Sequence, residues 1–267
     1  VQVSGFRDLQ ERTKDRRYEV TFEPAGEFRD LAVLWPYGTS AIGTKIFGNT
    51  PLTIWSRDTT NNKRVYSNAA ITKLPGIVAS VSQTLLGSVT FTCLLKDGGA
   101  PGDADAYVVQ STDTYPVETL DVSKMITPIY SRSWGASPWD SFYVGEGGVV
   151  YDFPLNLYAH KVDGCGTVNM SISGHDALAK FTPMGLTEAQ IRAAVGSNSV
   201  LGAAPTVNDL IVAGSGVHLT LYAAQLRDEN LTFGAGVDRL GEVTAMATQT
   251  FTAGAANPLY RIADAAP

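Results

Sequence analysis

Leu86-Gly87-Ser88-Val89-Thr90-Phe91-Thr92-Cys93 is the stretch on which the fold class turns. Val89, Phe91 and Cys93 fall on one side of an extended chain, and Ser88, Thr90 and Thr92 on the other. Period-two alternation of this kind marks a strand with one buried and one wet face. The pattern returns 154 residues later (241 − 87) in Leu240-Gly241-Glu242-Val243-Thr244, where Val243, Ala245 and Ala247 oppose Glu242, Thr244 and Thr248, with Met246 the exception. Upstream anchors keep the offset: Ala69-Ala70 lines up with Ala223-Ala224 (223 − 69 = 154), and Gly48-Asn49-Thr50-Pro51 with Gly202-Ala203-Ala204-Pro205. A partial third copy lies 79 residues after the first (166 − 87), with Val168, Met170 and Ile172 set against Thr167, Asn169, Ser171 and Ser173. A repeated supersecondary unit implies that neighbouring units stack or pair to bury a shared face.

Working outward, Leu52-Thr53-Ile54-Trp55 and Lys63-Arg64-Val65-Tyr66 flank the turn-rich Asp58–Asn62 and read as a hairpin. One helix is expected at about 187–195, capped by Thr187, with Gln190 at the third helical position and Gly196 as its stop. The expected fold is therefore mainly β, an antiparallel β-sandwich or barrel with one short helix and internal pseudo-repeats. The expected organisation is a charged N-terminal arm over 1–20, a first β module over 21–130, a Gly/Trp-rich loop over 131–148 and a second β module over 149–267; one continuous domain is the alternative.

Composition narrows the function. The chain has 267 residues, 44% hydrophobic and 17% charged, and no run approaches the ~20 apolar residues of a membrane span. A net charge of −6 argues against a protein that grips nucleic acid, since phosphate neutralisation by Lys and Arg supplies most of that affinity. The charged start, Phe6 to Arg12, does not resemble the apolar core of a signal peptide. Cys93 and Cys165 occupy different places in their repeats and read as buried free thiols. His160, His175 and His218 lack metal-helix spacing, no G-x-S-x-G elbow is present, and Asp103-Ala104-Asp105 lacks the glycine and glutamate of a calcium loop. No catalytic residue, metal or cofactor is expected. Asn169-Met170-Ser171 and Asn230-Leu231-Thr232 match the glycosylation sequon and are discounted, the first because it lies in an expected strand.

The segments Leu52–Trp55, Asn68–Pro75, Thr84–Thr92, Tyr151–Leu155, Val162–Val168 and Thr182–Ile191, in this order, resemble the tail tube proteins of long-tailed, siphovirus-like bacteriophages. The resemblance covers roughly residues 50 to 260. It implies a β-sandwich that donates strands to a hexameric ring, or to a trimeric ring where the tube domain is duplicated. It implies a virion protein, assembled in the host cytoplasm and stacked into a tube with other tail proteins, through which double-stranded DNA passes without specific binding or membrane contact. The wet faces then become candidate lumen positions: Ser88, Thr90, Thr92, Thr167, Asn169, Ser171, Glu242 and Thr244. Stacking needs a head-to-tail contact, for which Arg12, Arg16, Arg17, Asp103, Trp134 and Trp139 are the candidates, in the arm and the Gly-rich loops. Two other readings stay open. Trp134 and Trp139, with Phe142 and Tyr143, would suit a carbohydrate-binding β-sandwich or another virion decoration protein. A hydrolase assembled from distant carboxylates is the weakest.

Overall fold

The computed structural model of the protein describes residues 17–24, 28–48, 50–55, 62–66, 68–80, 84–94, 108–112, 129–134, 143–162, 166–184, 207–214, 217–234, 237–249, 251–252, 255–256 and 258–263. The fold is mainly β, with antiparallel sheets and a curled half-barrel.

The first strands are β1 (Tyr18–Phe22), β2 (Leu52–Trp55), β3 (Asn62–Tyr66), β4 (Ala69–Lys73), β5 (Ile77–Ala79), β6 (Thr84–Leu86), β7 (Val89–Cys93) and β8 (Val108–Thr112). Next come β9 (Ile129–Trp134), β10 (Tyr143–Val144), β11 (Val149–Asp152), β12 (Leu155–Val162), β13 (Gly166–His175), β14 (Leu178–Phe181) and β15 (Pro183–Met184). The chain closes with β16 (Asn208–Gly214), β17 (Val217–Gly234), β18 (Val237–Met246), β19 (Phe251–Thr252), β20 (Ala255–Ala256) and β21 (Tyr260–Ala263). A single helical turn, α1 (Phe28–Leu31), runs into a 3-10 turn at Ala32–Leu34. The helix expected at 187–195 lies outside the described residues.

The largest sheet has the order β6-β5-β11-β14-β18-β17-β16-β9, with β21 also on β17. It crosses the boundary drawn between the two expected modules, because β5 and β6 join β11 and β14 in one ladder. One buried cluster likewise runs from Leu34, Trp35 and Ile71 to Val243 and Tyr260. The two modules thus share a sheet and a core. The expected loop at 131–148 also needs correction: Ile129–Trp134 is a strand paired with β16, because Trp134 is drawn into the core. The end of the expected arm, from Tyr18, is strand β1 on β7.

The 154-residue offset is a true repeat of structure. In the first copy Ile77 pairs with Leu86. Adding 154 to each gives Leu231 and Leu240, which are paired in β17 and β18. Both copies are long bent hairpins. In the first, Pro75 cannot donate to a ladder, and the strands split into β4–β5 and β6–β7, with Gly87 N–H bonding Gly76 O across the bend at 2.8 Å. In the second, β17 and β18 run unbroken through the bend by register shifts between Leu226 and Asp228 and between Glu229 and Leu231. The first copy shifts between Ile71 and Lys73, the matching place to within a residue.

The repeat extends further than the sequence anchors. β1 pairs Phe22 with Val89, and β14 pairs Phe181 with Val243, the equivalent valine (89 + 154). Phe22-Glu23-Pro24 and Phe181-Thr182-Pro183 are thus counterparts. β3 pairs with β8 as β17 pairs with β21, to within one residue of register. Each copy is therefore an edge strand, a hairpin, a bent hairpin and a returning strand. The 79-residue offset is different: it would match β4 to β11, yet β4 pairs with β7 while β11 pairs with β5 and β14.

Candidate functional site

The polar strand faces are the candidate site, and each is built by cross-strand pairs. In the first copy Thr21 on β1, Thr90 on β7 and Thr72 on β4 lie near one another. Thr21 and Thr90 join hydroxyl to hydroxyl at 2.9 Å, Thr72 and Thr92 at 2.8 Å, and Lys73 Nζ donates to Ser88 Oγ at 3.3 Å. Of the apolar faces, Val89, Cys93, Met170, Ile172, Val243 and Ala245 are in the core, while Phe91 and Val168 are half-buried.

The polar faces are only partly wet. Thr92 is 2% exposed, Thr167 4%, Ser171 7% and Thr244 8%, so these four lumen candidates are interior to the chain. Residues 43–47 pack beside part of this face. At the Thr92 end, Ala70 and Leu94 pack with Phe47 and Met170. On β13, residues 43–46 lie alongside: Gly43 N–H bonds Ile172 O at 2.7 Å, Ile172 N–H bonds Thr44 O at 3.0 Å and Ile46 N–H bonds Met170 O at 3.0 Å. Asn169 is half-buried and clamps that segment, donating from Nδ2 to Phe47 O at 3.2 Å. Ser171 Oγ meets His160 Nε2 at 2.8 Å. Ser88 and Thr90 remain half-exposed and Glu242 is exposed.

Neighbouring strands also supply cations that single-strand reading misses. Lys73 stands opposite Thr90, and the exposed Lys180 opposite Thr244. The surviving polar face therefore mixes Ser88, Thr90 and Glu242 with lysines.

Trp134 is a core residue, 4% exposed, and is not a surface contact. Its indole N–H lies 3.2 Å from both Asn208 O and Ala224 O, and its ring meets Phe181 edge-on at 6.1 Å. These bonds hold the stretch of β17 where Ala223 has φ 44° and its N–H bonds Asp209 Oδ1 at 2.9 Å. Arg17 is exposed and pairs with the exposed Glu19 at 3.4 Å. Arg12, Arg16, Asp103 and Trp139 lie outside the described residues, as do Phe142 and Cys165. Tyr143 and Met184, paired across β10 and β15, are both exposed.

The buried titratable groups are structural in setting. Cys93 is a free thiol that burial pushes up to about 11. His175 is pushed down to about 4, chiefly by burial, with Asp176 opposing; its ring meets Tyr260 edge-on at 5.4 Å, and its buried Nε2 finds no hydrogen-bond partner among the described residues. Among the described residues no group of three His, Cys, Asp or Glu side chains is placed to hold a metal ion, and no helix is long and apolar enough to cross a membrane. Sequence reasoning missed Asn169 as a clamp and Asp209 as the support of Ala223, since both act through backbone groups remote in the chain.

Neither a protein-family profile nor a curated protein matches this chain.

Proposed function

We propose that this protein is a structural subunit that self-assembles head to tail into rings, and that the rings stack into the tail tube of a long-tailed bacteriophage. The observation that carries this reading is the duplicated bent hairpin, repeated in matching register, with β5 and β6 of the first copy and β17 and β18 of the second on either side of β11 and β14 in one antiparallel sheet. A curled sheet that continues from copy to copy removes exposed strand edges when it closes. With two units per chain, three subunits supply six, so a trimeric ring is the stoichiometry the duplication favours.

The lumen positions assigned by this reading are Ser88, Thr90 and Glu242. DNA is expected to slide there because the chain is acidic overall and phosphate contacts too few to hold a duplex form. Lys73 and Lys180 are the positions that would oppose this. Ring stacking is assigned to the segment around Arg12, Arg16 and Arg17 and the loop around Asp103. The carbohydrate-binding reading loses one of its two tryptophans to the core, because Trp134 is buried.

The test is light scattering joined to negative-stain imaging of the purified chain. Hollow rings or tubes are expected. Monodisperse monomers across a wide concentration range would sink the proposal.

A further inference from the structure

Strand β21 lies between two histidines, one on each of its faces. It pairs with the start of β17, with His218 opposite Ala263, Thr220 opposite Arg261 and Leu221 opposite Tyr260. Side chains alternate between the faces of a sheet, and directly opposed residues share one. Tyr260 and Ile262 therefore lie on one face with Leu219 and Leu221, and Arg261 lies on the other with His218 and Thr220. On the first face the buried Tyr260 ring meets Phe153 edge-on at 4.8 Å and His175 edge-on at 5.4 Å. On the second, the buried His218 has its Nδ1 3.4 Å from Thr220 Oγ1, with Arg261 as the neighbouring cation. Main-chain bonds at Leu259 complete the seat: its N–H donates to Gly38 O at 2.6 Å, and Tyr222 N–H donates to its carbonyl at 3.1 Å.

We infer that β21 is an acid-released strand: protons taken up by His175 and His218 free it from β17 while β14, β17 and β18 stay paired. A buried imidazole resists charge, so each ring takes its proton more readily once the strand has left and water reaches it. His175 is held down to about 4, chiefly by burial, and His218 is pushed down by burial first and by Arg261 second. The released state thus binds more protons below the ordinary value of 6.5, and release gains as pH falls from there. Asp176 beside His175 opposes this, as does the Tyr37 main chain. The Tyr260 phenol stays neutral, since burial raises its pKa. Arg261 adds to the effect at His218, and the rest of the row through that residue, Ser131, Ala213 and Ala263, carries no charge. Release uncovers the edge of β17 at His218–Leu221. The inference is independent of ring or tube formation.

Amide hydrogen exchange on the purified chain tests it, with rates corrected for the intrinsic effect of pH. Protection is compared at pH 7 and pH 5 for Leu259 and Tyr222, whose bonds depend on the seated strand, and for Val243–Ala245 in β18. Between these conditions protection at Leu259 and Tyr222 is expected to fall about tenfold more than at Val243–Ala245. His175→Gln combined with His218→Gln should abolish that difference. Arg261→Gln alone removes the like charge and leaves both rings in place, so it should leave a smaller difference. Equal falls in the two segments would mean that acid weakens the whole fold, and would overturn the separate release of β21; so would no fall at all. Should the double histidine variant fail to fold, Arg261→Gln decides in its place: a difference as large as in the unaltered chain overturns the part given to His218.

Discussion

At the scale of the residue, three positions carry more than their side-chain type suggests. Trp134 is a ring-stacking candidate in the sequence, yet its indole N–H serves two strand carbonyls at once. Trp134→Phe keeps most of the packing and leaves those buried acceptors short of a donor. A loss of about 1–2 kcal/mol is expected from urea unfolding; a change within error would show that these bonds do not hold β17 against β9. Gly148 sits at φ +69°, and a Cβ there would meet the Ala79 carbonyl. Gly148→Ala should therefore cost about 1 kcal/mol or more and loosen the pairing of β11 with β5, read as faster amide exchange at Val149–Tyr151.

His175 gives stability a pH dependence whose sign is definite. In the native state it stays neutral down to about pH 4, whereas in the unfolded chain it takes up a proton below its ordinary value of 6.5. The unfolded state therefore binds more protons between these values, and stability falls as pH drops from about 6.5 towards 4. Partial exposure discounts the full effect to about 1–2 kcal/mol. Comparing wild type with His175→Gln at pH 7 and pH 5 isolates it: the variant should lose less stability on acidification. Equal losses would remove His175 as the cause.

At the scale of the element, the bent hairpin shows one plan carried out by two chemistries. The first copy breaks its strands at Leu74-Pro75-Gly76, where Trp35 Nε1 donates to Pro75 O at 2.9 Å and Tyr37 OH to Ile71 O at 2.8 Å. The second holds β17 continuous through the matching place, with register shifts at 226–228 and 229–231; nearer the start of β17, Ala223 sits in the left-handed region that favours glycine. An alanine there is strained by about 1 kcal/mol. Ala223→Gly is thus expected to stabilise the chain by about 0.5–1 kcal/mol, checked by thermal unfolding; destabilisation would mean that the alanine methyl packs more than the strain costs. The alternation in β7, β13 and β18 was legible because apolar spacing reports burial directly. The burial of Thr92, Thr167, Ser171 and Thr244 was not, because it depends on packing between segments far apart in the chain.

At the scale of the whole molecule, β5 and β6 of the first copy join the second copy's sheet through β11, and one buried cluster spans both copies. An acidic chain whose polar face carries few cations should not retain double-stranded DNA at physiological salt, a gel-shift measurement. Firm retention would sink the conducting lumen while leaving the ring intact.

The sequence by itself determined the strand character, the apolar faces, the β2–β3 hairpin and the 154-residue repeat. These follow from side-chain periodicity and local turn chemistry, which act within a few residues. Only the tertiary structure decided that β1 and β14 belong to the repeat, that the 79-residue echo does not, that Trp134 is core and that half the polar face is covered. Each of those depends on pairing between strands far apart in the chain. Such pairing is set by the joint burial of many faces, and no single stretch records it.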